Sequence, residues 1–297
     1  MGSLVWTNWL RLSGVSRRWN RWFLLSLAIG VAIVLSVFSV PAKAIQVQLK
    51  PTTPELGDTI SVVVQADPTN NPGSAPVVVM KQKTYPTFAI GGNRYRALLP
   101  TTPLDPPGTL SIQVNPTQGN VAQGNIAQGN MAQANSAPGN ATPQTLTVQL
   151  KDRDFPTQSI WLSGDSDSLG TDHEFDRVDA FKAIVSPQKL WNGAFQRPNQ
   201  GEISTVYGVR RYYNGEFAQD YYHRGVDYAS PIGDPVVAPA AGRVVLVGRV
   251  EDGFELHGNT IGLDHGQGVA SIFIHLSRID VKEGDMVQVG QRIGAVG

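Results

Sequence analysis

From Ile45 onward the chain alternates apolar and polar residues in short runs. Val47/Leu49, Ile60/Val62/Val64, Val77/Val79, Tyr95/Ala97/Leu99 and Leu110/Ile112/Val114 each repeat an apolar side chain at every second position. That period puts the apolar set on one face of a half-buried strand. Pro and Gly separate the runs at Pro54, Gly57, Pro68, Pro72-Gly73, Gly91-Gly92 and Pro106-Pro107-Gly108. A repeat follows, with Asn120, Asn125, Asn130, Asn135 and Asn140 recurring every five residues. Five units make too little stacked surface for a solenoid, so residues 117–144 are predicted to be a polar, low-complexity insertion. Leu110/Ile112/Val114 before it and Leu146/Val148/Leu150 after it both alternate. They predict two neighbouring antiparallel strands joined by the insertion, which is tolerable because each doubling of loop length costs only about 0.6 kcal/mol.

Short strands spaced by such turns predict a mainly β protein whose first domain is an immunoglobulin-like β-sandwich over residues 45–163, running on through Ile160-Trp161-Leu162. The cysteines of true immunoglobulin domains are missing, since the chain has none, so the likeness is one of architecture. Residues 164–190 form a connector. In it Val178, Phe181 and Ile184/Val185 sit at helical spacing behind the acidic stretch Asp172 to Asp176, which supplies early acidic and capping residues. His173 in that stretch is expected to be a solvated surface histidine. A second β-rich block occupies residues 191–297, with inward faces expected from Val244/Leu246, Ile261/Leu263, Ile272/Ile274 and Val287/Val289.

Ahead of the first strand, Arg11, Arg17, Arg18 and Arg21 precede an apolar run from Phe23 to Val40 and then Pro41-Ala42-Lys43-Ala44. A basic region, an apolar region and an A-x-A-like end predict a secretory signal over residues 1–44, cleaved after Ala44. The run also approaches the ~20 residues that span a bilayer, so a retained anchor is the alternative. Either way the bulk of the chain is expected to be exported, to the periplasm or cell envelope. The 297 residues carry 24 Lys+Arg against 24 Asp+Glu. A balanced charge gives no global attraction to nucleic acid, and none is expected as a partner. The absence of cysteine excludes disulfides, thiolate metal sites and a cysteine nucleophile, so any metal must be held by His and carboxylate. No G-x-S-x-G elbow occurs.

The informative stretch is Tyr221-Tyr222-His223-Arg224-Gly225-Val226-Asp227-Tyr228. His223 and Asp227 are a nitrogen–oxygen pair able to share one Zn²⁺ if the backbone curls around it; by themselves they could equally be a buried His–Asp pair. The context is Gly201 to Arg210 upstream, then Gly233-Asp234-Pro235 and Gly242-Arg243-Val244. Beyond lie Gly258-Asn259-Thr260-Ile261, Asp264-His265-Gly266, Ile274-His275-Leu276-Ser277 and the glycine-spaced run Gly284 to Gly294. In this order the motifs, from about Gly193 to Gly297, resemble the lysostaphin/LytM-type zinc metallopeptidases, the duplicated-hybrid-motif fold. They are most like cell-wall members with an all-β domain ahead of the peptidase. The resemblance implies an antiparallel β domain, His223 and Asp227 as the first two zinc ligands, and His275 as the histidine that orients the attacking water and steadies the oxyanion. It implies a structural role for His265 and none for His257. Phe273 stands where the family usually has Tyr.

In the family, the step matched by Gly294-Ala295-Val296-Gly297 is followed by an H-x-H element that supplies the third zinc ligand. This sequence stops at Gly297 and contains no H-x-H. Three expectations follow: an incomplete or frameshifted form of a normal enzyme, which is preferred, a catalytically dead product, or an unorthodox site completed by His257 or His265. The implied activity is zinc-dependent endopeptidase action on the peptide cross-links of bacterial peptidoglycan, with no substrate-binding residue assigned. The alternative is an inactive LytM-like binding module that docks on or activates another cell-wall hydrolase or envelope partner. A purely structural envelope protein is a third, weaker expectation.

Overall fold

A computed structural model describes residues 45–66, 75–115, 143–162 and 170–297. The expected export segment 1–44 and the repeat insertion up to residue 142 lie outside the described residues. Eight strands come first: β1 (Gln46–Lys50), β2 (Thr59–Gln65), β3 (Val77–Met80), β4 (Lys83–Tyr85), β5 (Phe88–Gly91), β6 (Arg94–Pro100), β7 (Gly108–Asn115) and β8 (Gln144–Leu150). They form two antiparallel sheets ordered β1-β2-β6-β5 and β4-β3-β7-β8. Ile60, Val62, Val64, Ala97 and Leu99 of the first sheet meet Val78, Met80, Leu110, Ile112, Val114 and Val148 of the second in one core. That core makes the pair a sandwich. β7 and β8 pair antiparallel from Gly108↔Leu150 to Val114↔Gln144, as the flanking alternation predicts.

Two details differ from the sequence pattern. In β3 the buried residues are Val78 and Met80, while Val77 and Val79 are half-buried. Four consecutive apolar residues do not reveal a face. The register is decided by the two-residue turn Lys81-Gln82, both at positive φ, which sets Met80 opposite Lys83 and leaves Val78 and Met80 paired with Val114 and Ile112. The sandwich also ends at β8. β9 (Thr157–Ile160) has little apolar surface to bury and pairs elsewhere.

The remaining elements are helix α1 (Asp172–Lys182), β10 (Glu202–Thr205), β11 (Arg210–Tyr213), β12 (Glu216–Phe217), β13 (Asp227–Ala229), β14 (Pro235–Val237), β15 (Gly242–Gly248), β16 (Asn259–Gly266), β17 (Val269–Ile279), β18 (Met286–Val287) and β19 (Arg292–Val296). β9 runs parallel to β11 in a three-stranded sheet, β12-β11-β9. β10 and β13 pair as a two-stranded sheet. The last six strands form one antiparallel sheet ordered β14-β19-β17-β16-β15-β18. Val236, Val244, Ile261, Leu263, Leu276, Val287 and Ile293 make its core.

α1 covers part of the other face, with Val178 and Phe181 packed on Leu246 and Phe254. Its N-terminus is closed by a capping box, Thr171 bonding the Glu174 backbone and Glu174 returning to Thr171, which satisfies two otherwise orphaned donors. The helix stops at Lys182 with Ala183 as its C-cap, so Ile184 and Val185 fall outside it. The following Ser186-Pro187 step disfavours helical backbone. In β17 the expected inward pair is reversed: Ile272 and Ile274 are 40% and 41% exposed, and Phe273, opposite Ile261, turns to the core. Val289 is likewise exposed. Residues 45–297 are one compact unit, joined by Arg96 of β6, whose guanidinium donates to Gln267 Oε1 at 2.8 Å and lies over the Trp191 ring. Among the described residues no helix is long and apolar enough to cross a membrane.

Candidate metal centre

His223 lies in the irregular segment between β12 and β13, and Asp227 is the first residue of β13. The His223 backbone is tied at both ends: its N–H donates to Val209 O at 2.9 Å and its carbonyl accepts from Gly208 N at 2.8 Å. Gly208 sits at φ +91, and a Cβ there would fall 2.2 Å from the Phe155 ring, so only glycine serves at this junction. β10 holds the other partner by pairing Thr205 with Asp227.

The pinned backbone brings His223 Nε2 to 3.0 Å from Asp227 Oδ1, the imidazole 12% and the carboxylate 50% exposed. The other ring nitrogen, Nδ1, lies 3.0 Å from Val206 O. A carbonyl can only accept, so Nδ1 carries a proton and donates to it, which leaves the Nε2 lone pair facing the carboxylate of Asp227. Two acceptors at that separation repel unless a proton or a metal cation lies between them. A backbone carbonyl that fixes the tautomer of a histidine is also the usual support of a metal-ligating imidazole. The donor chemistry therefore fits two of the three protein ligands that a catalytic zinc takes. Among the described residues no cluster of three His, Cys, Asp or Glu side chains occurs. Beside the pair, Tyr207 packs edge-on to Tyr222; burial, then its neighbour Tyr222, pushes the Tyr207 phenol up to about 12, so it stays neutral.

His275 stands on another sheet, in β17, with its side chain exposed. Phe273 pairs with Ile261 and Leu276 with Asn259, so Ile274 and His275 together face Thr260. This is a β-bulge, which re-aims a side chain. His275 itself has φ +57, a left-handed backbone that costs a non-glycine residue on the order of 1–3 kcal/mol. Its N–H donates to His257 O at 2.8 Å and its carbonyl accepts from Gly297 N at 3.1 Å. No hydrogen bond or ion pair joins it to His223 or Asp227 among the described residues.

The other histidines have their own surroundings. His265 is fully buried, its Nδ1 2.8 Å from Ala241 O and its Nε2 2.9 Å from Ser271 Oγ, and burial holds its pKa below the ordinary value. His257 Nδ1 lies 3.3 Å from the buried Glu174 carboxylate. His173 is exposed on α1. The sequence pattern marked Glu174 only as part of the acidic capping stretch Asp172 to Asp176 and did not mark Val206 as a partner of His223. The Thr171-x-x-Glu174 spacing could have marked the former, whereas a main-chain carbonyl leaves no mark in a sequence.

Residues 221–297 match the family described as Peptidase family M23. Over 75 residues the chain is 40% identical to the peptidoglycan DD-endopeptidase ShyA of Vibrio cholerae, a stretch that is 25% of this chain and 16% of that protein. Over 73 residues it is 44% identical to lysostaphin of Staphylococcus staphylolyticus, covering 24% of this chain and 15% of lysostaphin. These matches therefore span under a fifth of either relative. A solved chain assigned to peptidase M23, from Pseudomonas aeruginosa, is 25% identical over 84% of both chains, with a TM-score of 0.52.

Proposed function

Because residues 221–297 form a peptidase family M23 domain, we propose that this chain is an exported zinc metallo-endopeptidase acting on the peptide cross-links of bacterial peptidoglycan. The observation that carries the reading is the approach of His223 Nε2 to Asp227 Oδ1 at 3.0 Å, with the opposite ring nitrogen engaged by the Val206 carbonyl. The peptidoglycan endopeptidase among the relatives supports the substrate class.

In this reading His223 and Asp227 hold the metal. Zinc, when bound, supplies Lewis-acid polarisation of a carbonyl and a water acidified to near neutrality. The Val206 carbonyl keeps the proton of His223 on Nδ1, so that Nε2 stays a ligand. His275, exposed on its bulge, carries a proton at an imidazole nitrogen and delivers it toward the charge that develops on the scissile group. The sandwich positions the peptidase domain on the wall.

Zinc content and muropeptide cleavage, measured on the wild-type chain and on His223→Ala, test the proposal. Stoichiometric zinc with cleavage, both lost in the variant, supports it; a wild-type chain with neither refutes it. The alternative to a zinc endopeptidase is a LytM-like module that binds the wall or another hydrolase without turnover. Wall binding without zinc or cleavage would establish that alternative.

A further inference from the structure

Among the described residues Glu174 is wholly buried, lies outside the residues that match the family, and has no part in the chemistry above. Its carboxylate is nevertheless densely bonded. Oε1 accepts from the backbone N–H of Thr171 at 3.2 Å and of Leu256 at 3.2 Å. Oε2 accepts from Leu256 N at 3.2 Å and His257 N at 3.3 Å, and lies 3.3 Å from His257 Nδ1, close enough for an ion pair though out of hydrogen-bond alignment. Burial alone would push this carboxyl up. The N–H donors of His257 and Leu256, the His257 ring and the Thr171 N–H more than offset that, and the group sits below its ordinary value, an ionised acceptor.

Only the Thr171 bond belongs to the helix cap. The others reach across to the loop Leu256–Gly258 just before β16. That loop presents the His257 carbonyl to the His275 N–H at 2.8 Å. His275 is one of the two bulge residues that share Thr260 and has no register partner of its own. A left-handed non-glycine residue persists only where its surroundings over-determine it, and the His257 carbonyl is one of the two main-chain groups that hold this one.

We infer that Glu174 is a positioning residue for His275: by fixing the Leu256–Gly258 loop it holds the carbonyl that clamps the left-handed backbone, and so sets the direction of the imidazole. The inference rests on the role proposed above for His275. It gives the connector helix a part in a site otherwise built from the C-terminal sheets.

The test is NMR of the full chain labelled with ¹⁵N-histidine, comparing wild type with Glu174→Gln and Thr171→Ala. Glutamine keeps the volume but offers one acceptor oxygen and turns an NH₂ group on the facing N–H donors. Thr171→Ala weakens the helix cap and removes the hydroxyl's bond to the Gly253 carbonyl, and leaves the carboxylate's contacts with Leu256 and His257. In Glu174→Gln the His275 amide should exchange at least about tenfold faster and its ring signals should move, while those of His265 stay in place. Thr171→Ala should leave His275 as in the wild type. Unchanged His275 signals in Glu174→Gln, or equal changes in both variants, would overturn the inference. Glu174→Asp, with the charge drawn back by one methylene, is read in the same way should the glutamine chain not fold. In cleavage assays of the zinc-loaded chain Glu174→Gln should lower kcat about tenfold or more with KM within about twofold. If the wild-type chain does not cleave at all, the proposed reaction fails and the NMR comparison alone decides the positioning contact.

Discussion

A Cβ on Gly262 would meet Phe181 Cε2 at 2.7 Å and Leu246 Cβ at 2.8 Å, so the ring from α1 rests directly on the backbone of β16. This contact seats the connector on the sheet. Gly262→Ala should destabilise by about 1–3 kcal/mol through overpacking, and Phe181→Ala by about 3–5 kcal/mol through lost burial and a cavity. Urea unfolding measures both; a Gly262→Ala chain as stable as wild type would show that the ring has room to move.

The left-handed backbone of His275 predicts a separation of stability from activity. His275→Gly should be more stable than His275→Ala by about 1 kcal/mol, because glycine adopts that φ freely. Both variants should lose cleavage. Thermal melts rank the pair, and equal melting temperatures would mean that the bulge relaxes in the alanine chain.

Acid should weaken the C-terminal block in two windows. His265 has its pKa lowered from 6.5 by burial, so the unfolded chain binds the proton more readily. Stability from this group is complete above pH 6.5 and falls as the pH drops through the folded value. Glu174 is lowered from 4.5; its contribution is present above pH 4.5 and is lost below it. Stability measured from pH 8 to pH 3 should decline in these two steps, and His265→Gln should flatten the first.

Zinc affinity should depend on both members of the His223–Asp227 pair. His223→Ala and Asp227→Asn should each weaken binding by more than the ~10–100-fold that a lost supporting contact costs, as read by competition with a chromophoric chelator. Tyr212→Ala, in the neighbouring sheet, should leave it unchanged. Equal affinity in wild type and Asp227→Asn would remove the carboxylate from the coordination sphere.

In the sandwich, Val78→Ala should cost about 2 kcal/mol, since Val78 is fully buried. Val79→Ala should cost under about 1 kcal/mol. Denaturant midpoints compare them, and the opposite ranking would place the register of β3 one residue away.

Where a single physical pattern decided an element, the sequence was sufficient to read it. Strict alternation over Ile60/Val62/Val64 and Leu110/Ile112/Val114 marked the faces that are buried, and the matching alternation on either side of the asparagine repeat revealed that β7 and β8 pair. The ordered motifs from Gly201 to Gly294 pointed to the family whose model matches residues 221–297, and the His223–Asp227 spacing to a pair that meets at 3.0 Å.

Uniformly apolar or polar runs needed the tertiary structure. Val77 to Met80 and Ile272 to Ile274 are each apolar throughout, so their faces were set by hairpin register, and Thr157 to Ser159 joined β11 through backbone bonds that no side chain advertises. The tautomer of His223, fixed by a Val206 carbonyl, and the clamp on His275, fixed by a His257 carbonyl, belong to the same class. The main-chain N–H and C=O are alike at nearly every position, so composition and spacing tell which side chains are available, while only the folded path tells which carbonyl stands beside them.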